Sequence, residues 1–252
     1  MAGGGVFDSA ACISKGYNAK GLRSNIMKRS EINQIMRDAV EFIKEQNFAL
    51  PPFVTWTYDE WKTKNSEYDE IKDCMLGWDI TDFGKGDFKK DGLLMITLRN
   101  GSFDNPKYNK TYAEKLLISE EGQVTPYHFH WKKQEDIINR GGGLLVLRCY
   151  NSNEAGEKLD TPVTIFKDGR AYEVEAGSRI EIGRGESISL PTGQYHTFWA
   201  EGGKCLIGEV SRTNDDNVDN RFYEKTGRFP TIEEDEPILY PLFSEYPNMP
   251  KK

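Results

Sequence analysis

The chain has 252 residues, 37% hydrophobic and 29% charged, with 33 Lys plus Arg against 40 Asp plus Glu and a formal net charge of -7. That acidic balance, with a pI near 5.2, argues against a nucleic-acid partner, because phosphate-backbone affinity comes from clustered Lys and Arg. No run approaches the roughly 18 apolar residues of a membrane span; the longest, such as Leu144 to Leu147, are strand-sized, so no membrane crossing is expected and a small molecule or protein is the better partner.

Residues 1–26, with Gly3 to Gly5 and little periodicity, lack the basic and apolar regions of a secretory signal. Lys15, Lys20 and Arg23 against the single acid Asp8 leave an organelle transit segment open. The plainer reading is a disordered extension or tag, with the fold starting at Met27. From Ser30, the residues Ile32, Ile35, Met36, Ala39, Val40 and Ile43 recur at spacings of three and four, which predicts an amphipathic helix. Ser30 can cap its start, and Pro51 and Pro52 close the region. Thr57 and Glu60 have capping-box spacing ahead of Trp61, predicting a second, shorter helix.

After about Gly77 short apolar or alternating runs are separated by Gly, Asn, Asp and Pro clusters. Strands are predicted at Leu93 to Leu98, Tyr112 to Ile118, Val124 to His130, Leu144 to Cys149, Val163 to Phe166, Ala171 to Val174, Arg179 to Ile182, Ser187 to Leu190, His196 to Ala200 and Cys205 to Ser211. Many short strands mean a sandwich or a barrel. Asn100-Gly101 and Asp168-Gly169 are two-residue hairpin signals. From Thr213 the chain turns polar and ends in a tail rich in Pro and Tyr. The expected organisation is one domain over 27–252: a helical cap to 76, a β-barrel over 77–212, and a loop and tail over 213–252. Cys12, Cys74, Cys149 and Cys205 form no C-x-x-C pair, which points to a reduced, intracellular setting.

The three histidines are the most informative residues. His128 and His130 lie two apart on a predicted strand, so both imidazoles leave the same face, and Glu135 follows after enough chain to turn back. His196 comes just after Pro191-Thr192-Gly193, a turn able to aim it at the same point. An H-x-H alone also suits an ordinary core or surface pair; the four residues together suit a metal with nitrogen and oxygen ligands, Mn²⁺, Fe²⁺, Co²⁺ or Zn²⁺.

Gly122, His128, His130, Glu135 and Gly142 make one spaced pattern, and Gly185, Pro191, Gly193 and His196 a second. Together they resemble the two signature motifs of the cupin superfamily. The departure is Ala200, where the family usually has Asn. The resemblance implies a mainly β cupin fold, a double-stranded β-helix or jelly-roll barrel with an N-terminal α-helical cap, and His128, His130, Glu135 and His196 as metal ligands. The run Met75 to Gly84, the run Glu135 to Gly143 and Gly208 to Ser211 with the Asn and Asp residues after it resemble, more narrowly, the D-lyxose isomerase family. That likeness extends from about Met27 to Tyr246. It implies a cytoplasmic, Mn²⁺-dependent homodimeric isomerase that interconverts D-lyxose with D-xylulose and, more slowly, D-mannose with D-fructose, by proton transfer through a metal-stabilised cis-enediolate. A hydride shift stays open. So do two rivals, a cupin dioxygenase using Fe²⁺ and a non-catalytic sugar-binding cupin.

For catalysis the candidates are Glu209, Lys115, Lys133 and Asp219. A carboxylate at Glu209, mid-strand in an apolar run, is costly to bury without a partner and suits a general base; the plain alternative is an edge strand facing water. Lys115 can face the interior and bind a sugar oxygen, or snorkel to the surface. Lys133 follows the H-x-H, beside Lys132 in what reads equally as a solvated turn. Asp219, with Arg221, can close over a substrate or merely tie down the tail. Trp131, Tyr195 and Trp199 can stack on a sugar or belong to the core. Gly84-x-Gly86 and Gly141 to Gly143 lack the Lys and Ser or Thr of a phosphate loop, and are expected to serve tight turns.

Overall fold

Alternating apolar residues between Gly, Asn and Asp turns generate an antiparallel barrel in the computed structural model, which describes residues 26–227 and 231–247. The expectations for residues 1–25 lie outside the described residues. In chain order, β1 (Ile26–Lys28) leads into α1 (Arg29–Glu45), α2 (Tyr58–Lys62) and α3 (Asp69–Asp73). The barrel follows: β2 (Gly77–Thr81), β3 (Leu93–Arg99), β4 (Tyr112–Ser119), β5 (Thr125–His130), β6 (Glu135–Ser152), β7 (Lys158–Leu159), β8 (Val163–Lys167), β9 (Arg170–Val174), β10 (Ile180–Ile182), β11 (Ser187–Leu190) and β12 (Tyr195–Arg212). Past it come α4 (Asp216–Asp219), β13 (Asn220–Phe222) and β14 (Thr231–Glu233).

Helix α1 buries Ile32, Met36, Ala39 and Ile43 of the predicted stripe, with Phe42 added and Ile35 and Val40 only partly buried, against Trp78, Ile96, Leu116 and Leu206 of the sheet. Its start differs from expectation. The helix begins one residue earlier, at Arg29, and Ser30 points its backbone N–H and hydroxyl at Asp235 of the tail, 2.9 and 2.7 Å away. The second helix keeps its capping box: Thr57 N donates to Glu60 Oε2 at 2.7 Å and Glu60 N to Thr57 Oγ1 at 3.3 Å.

The tail is more than a loop. β14 pairs in parallel with β1, and the buried Arg29 guanidinium grips Glu234 through Nε and Nη2, both at 2.8 Å, and Glu245 through Nη1 at 3.2 Å. This clamp joins both ends of the described chain. Removing one partner of a buried ion pair leaves charge uncompensated, although the exposure of Glu234 softens the effect. Arg29→Ala should therefore lose about 2–3 kcal/mol of stability. A urea midpoint unchanged from wild type would rule the clamp out as a stabilising contact.

The large sheet runs β2, β3, β4, β12, β6, β11, β8, β9, with β10 and β7 on β6, β5 on β12 and β13 on β5. The second core, inside it, packs Leu145, Leu147, Ile165, Ile182, Ile188 and Phe198 with almost no exposure. Each such Leu or Ile contributes about 1.5–3 kcal/mol. Two predicted strands, at 196–200 and 205–211, are one 18-residue strand, and β6 starts nine residues before its predicted Leu144. The cause is the glycines. Gly141 to Gly143 lie within β6, where Gly142 pairs with Cys205 and Gly141 with Leu206 of β12; a Cβ at Gly142 or Gly143 would stand 2.2 or 2.3 Å from the backbone oxygen of Lys204 or Gly203. Close backbone approach, rather than a turn, is what these glycines permit, and both long strands bend there into the two faces of the barrel.

Asp168-Gly169 makes the predicted tight hairpin, both residues at positive φ between the paired Lys167 and Arg170. Asn100-Gly101 does not. Asn100 is buried and donates to Asn214 O at 2.8 Å, so it anchors the polar segment beyond β12 while the chain loops on to Tyr112.

Candidate active site

Strand parity brings the chemistry to the barrel interior. The register aligns Thr97, Lys115, Glu209 and Ile137 in one row across β3, β4, β12 and β6, and Asp79, Met95, Leu117 and Ile207 in the next, with β2 leading. Inside lies a cavity whose polar lining includes Asp79, Lys115, His128, His130, Lys133, Glu135, Glu209 and Asp216. Its apolar walls are Leu93, Leu117, Ile137, Phe83, Phe198 and Phe222.

The three histidines converge. His128 and His130 on β5 and His196 on β12 offer ring nitrogens that all lie within 4.8 Å of one another, and all three are buried. His196 pairs directly with His128 across the ladder, while the preceding turn is tied to the same strand by Gly193 N donating to His130 O at 3.0 Å. His128 Nδ1 meets Pro126 O at 2.8 Å and His196 Nδ1 meets Gln194 O at 3.1 Å. A carbonyl only accepts, so each Nδ1 carries the proton and each Nε2 keeps its lone pair. Burial, reinforced by the neighbouring imidazoles, holds His128 well below the ordinary histidine range, and burial with Lys133 lowers His130 despite Glu135 nearby.

Glu135 Oε1 stands 3.3 Å from His130 Nε2 and 3.2 Å from His196 Nε2. Burial would raise this carboxyl, yet Lys133 and the imidazole contacts outweigh it and hold Glu135 well below the carboxylate range. From there a charge ladder crosses the barrel. Lys133 Nζ contacts Glu135 Oε2 at 2.6 Å and Glu209 Oε1 at 2.7 Å; Lys115 Nζ contacts Glu209 Oε1 at 3.4 Å and Asp216 Oδ2 at 2.8 Å. Lys133 is 2% exposed, so burial works against its charge, but the two glutamates dominate and raise it above the ordinary lysine range. An alternating buried ladder of this kind satisfies each charge from both sides, the condition under which ionic groups are tolerated inside a protein.

Glu209 is thus not on an edge: β12 is paired with β4 on one side and β6 on the other. Lys115 faces inward, and Lys133 is buried while Lys132 beside it is exposed. Asp219 departs from the substrate-facing reading. Its two carboxylate oxygens accept from the backbone N–H groups of Lys132 and Lys133, at 2.8 and 3.0 Å, and it does not line the cavity. It holds the turn that presents Lys133.

The predicted aromatics also lie elsewhere. Tyr195 donates its hydroxyl to Gly156 O, Trp199 its indole N–H to Glu201, and Trp131, 50% exposed, packs edge-on to Phe129. The rings at the cavity are instead Phe83, Phe198 and Phe222, the last lying 5.4 Å from His128 between ring centres. Asp79, Thr81 and Asp216 are further cavity residues that sequence patterns had not assigned a role. Asp79 and Thr81 had one available signal, alternation within the run Gly77 to Thr81; Asp216 had none among its acidic neighbours.

The description D-lyxose isomerase belongs to a family model that matches residues 27–246. The chain belongs to the D-lyxose isomerase family. Among relatives, the D-lyxose/D-mannose isomerase of Escherichia coli O157:H7 is 44% identical over 223 residues, covering 87% of this chain and 98% of that one. A protein of the same description from Serratia proteamaculans is 45% identical over the same length and coverage. Solved structures include the L-ribose isomerases of Acinetobacter sp. DL28 with L-ribose, at TM-score 0.56 and 15% identity, and of Cellulomonas parahominis with L-ribose, at TM-score 0.54 and 15%. Each match spans 84% of this chain and all of the other. At that identity the likeness concerns the fold, and it agrees with a cupin barrel carrying a helical cap. This member of the D-lyxose isomerase family therefore has the barrel its motifs implied, with the predicted histidines brought together at its centre.

Proposed function

We propose that this protein interconverts D-lyxose with D-xylulose and, more slowly, D-mannose with D-fructose, inside the barrel. The observation that carries the reading is the run of buried groups from three converging imidazoles through Glu135, Lys133 and Glu209 to Lys115, in a family whose relatives bear the names of these sugars. Buried His130 Nδ1 has no hydrogen-bond partner among the described residues, and the Nε2 atoms of His130 and His196 have only Glu135 Oε1 beside them, at 3.3 and 3.2 Å and outside hydrogen-bond geometry. Orphaned nitrogens are costly in a core unless something binds them. Nitrogen and oxygen donors without thiolate suit a divalent ion of the Mn²⁺ type, and we assign His128, His130, Glu135 and His196 as the residues that would hold it. When bound, such an ion supplies positive charge against the negative charge that develops on the sugar oxygens.

The chain's own groups then do the proton work. Glu209 takes the hydrogen of C2 from the open-chain aldose as a proton, the electron pair left behind forms the C1–C2 double bond, and the proton is returned to C1. O1 gains a proton and O2 loses one, so the sum is isomerisation with no net change in atoms. Lys133 and Lys115, held against Glu209, donate hydrogen bonds to these oxygens as their charge shifts. Asp219 acts at one remove, fixing the turn that carries Lys133. The cavity's apolar walls exclude water from the enediolate.

Support for the remaining features comes from the family resemblance: Mn²⁺ as the native ion, a homodimer, a cytoplasmic setting, and residues 27–252 as one folding unit. The described cysteines, Cys74, Cys149 and Cys205, are free and buried, in keeping with a reducing compartment. No helix among the described residues is long and apolar enough to cross a membrane. No observation favours the dioxygenase or the binding protein. Stripping the metal, restoring Mn²⁺ and following D-lyxose by proton NMR in heavy water should give D-xylulose only after metal is restored, with solvent deuterium at C1. Failure to convert D-lyxose or D-mannose with metal bound would overturn the isomerase reading. Full retention of protium would remove Glu209 as an exchanging base.

A further inference from the structure

A smaller recess, with room for about one water-sized group, adjoins the main cavity, and Asp79, Met95, Lys115 and Asp216 line both. Beyond this shared wall the recess is bounded by Thr97, Asn100 and Asn214, with Met75 and Phe243 as its apolar side. Three neutral polar side chains, Thr97, Asn100 and Asn214, thus face it without lining the main cavity. Asn214 is 3% exposed; its amide Nδ2 donates to Asp216 Oδ1 at 2.6 Å, which fixes the orientation of the group. Its Oδ1, buried in the same place, has no hydrogen-bond partner among the described residues. A buried acceptor left unpaired is destabilising, and a ligand hydroxyl is the natural group to satisfy it. The isomerisation chemistry makes no use of it.

D-mannose is D-lyxose lengthened by one hydroxylated carbon at the end remote from the carbonyl, with the same configuration at C2, C3 and C4. A site acting on both must hold the carbonyl end alike and accommodate the extra carbon elsewhere. We propose that the recess past Asp79 and Lys115 is a subsite for the terminal hydroxyl of the six-carbon sugar, with Asn214 Oδ1 as its acceptor. The assignment rests on the isomerase reading above. Asp79 stands at its threshold and Thr97, across the ladder from Lys115, forms its floor without lining the main cavity.

Thr97→Leu adds bulk to the recess alone. Since a single methylene changes discrimination by 10–200-fold, kcat/KM for D-mannose should fall at least about 30-fold further than that for D-lyxose. Binding of D-mannitol to the metal-loaded protein, read by calorimetry, should weaken correspondingly against D-arabinitol, the reduced form of D-lyxose. Asp79→Asn, nearly isosteric, should move the ratio the same way by about tenfold and decides the matter should Thr97→Leu not fold. An unchanged ratio in a protein that converts both sugars would overturn the subsite and leave the recess to water, without touching the isomerase reading. A wild-type protein inert toward both sugars would overturn that reading, and the subsite with it.

Discussion

Glu209→Gln should retain its metal and lose turnover, with kcat falling by about 10²–10⁴-fold, the usual weight of a positioned general base. The amide is almost the same size as the carboxylate but cannot take a proton from carbon. The variant should still fold, because the ladder is doubly tied: without the charge at Glu209, Lys133 keeps Glu135 at 2.6 Å and Lys115 keeps Asp216 at 2.8 Å. Some stability is lost, since both lysines are only 2% exposed and lose one of their two carboxylates. Metal content by elemental analysis and single-turnover conversion of D-lyxose separate the two effects. Near-normal turnover would transfer the base to another cavity residue, with Asp79 the next carboxylate in line.

His196→Ala should fail differently, losing bound metal and turnover together. Its Nδ1 is committed to Gln194 O and its Nε2 lies among His128, His130 and Glu135, so truncation removes a donor from the centre of the cluster. Changes one layer further from a metal cost 10–100-fold in affinity, and a direct ligand should exceed about 100-fold. Added Mn²⁺ should stabilise the native state by mass action, raising the wild-type melting temperature but leaving that of the variant nearly unmoved at the same concentration. Wild-type metal content in His196→Ala would sink the ligand assignment outright.

These two residues also mark how far the sequence could be read. H-x-H on a strand, a carboxylate after a turn and a third histidine behind Pro-Thr-Gly identified groups that do converge, because strand parity and glycine turns are local properties with fixed geometric consequences. Glu209 was legible as an anomaly, a charge in an apolar run. Its relation to Lys115 and Lys133 was not, since that depends on which strands lie side by side, and β4, β6 and β12 are far apart in sequence. The polar stretch after β12 was least legible. Asp215 caps α4, Asp216 reaches Lys115 and Asp219 takes the backbone of Lys132 and Lys133, three fates for one residue type within five positions. Only the direction of a four-residue helix separates them. The run Gly141 to Gly143 was misread for a related reason: whether a glycine ends a strand or lets two strands touch depends on what lies opposite, here the backbone oxygens of Lys204 and Gly203 against Gly142 and Gly143.

β12 carries both His196 near its start and Glu209 near its end, with its register irregular against β5 between His196 and Phe198 and against β6 between Glu201 and Ile207. Facing alternates with every residue along a strand, so one added or deleted residue between them would turn Glu209 out of the barrel while His196 stayed in place. Length in this segment is therefore as much a part of the chemistry as residue identity. Related chains should accommodate insertions in exposed connections, and keep the count from His196 to Glu209 constant even where every intervening side chain has changed.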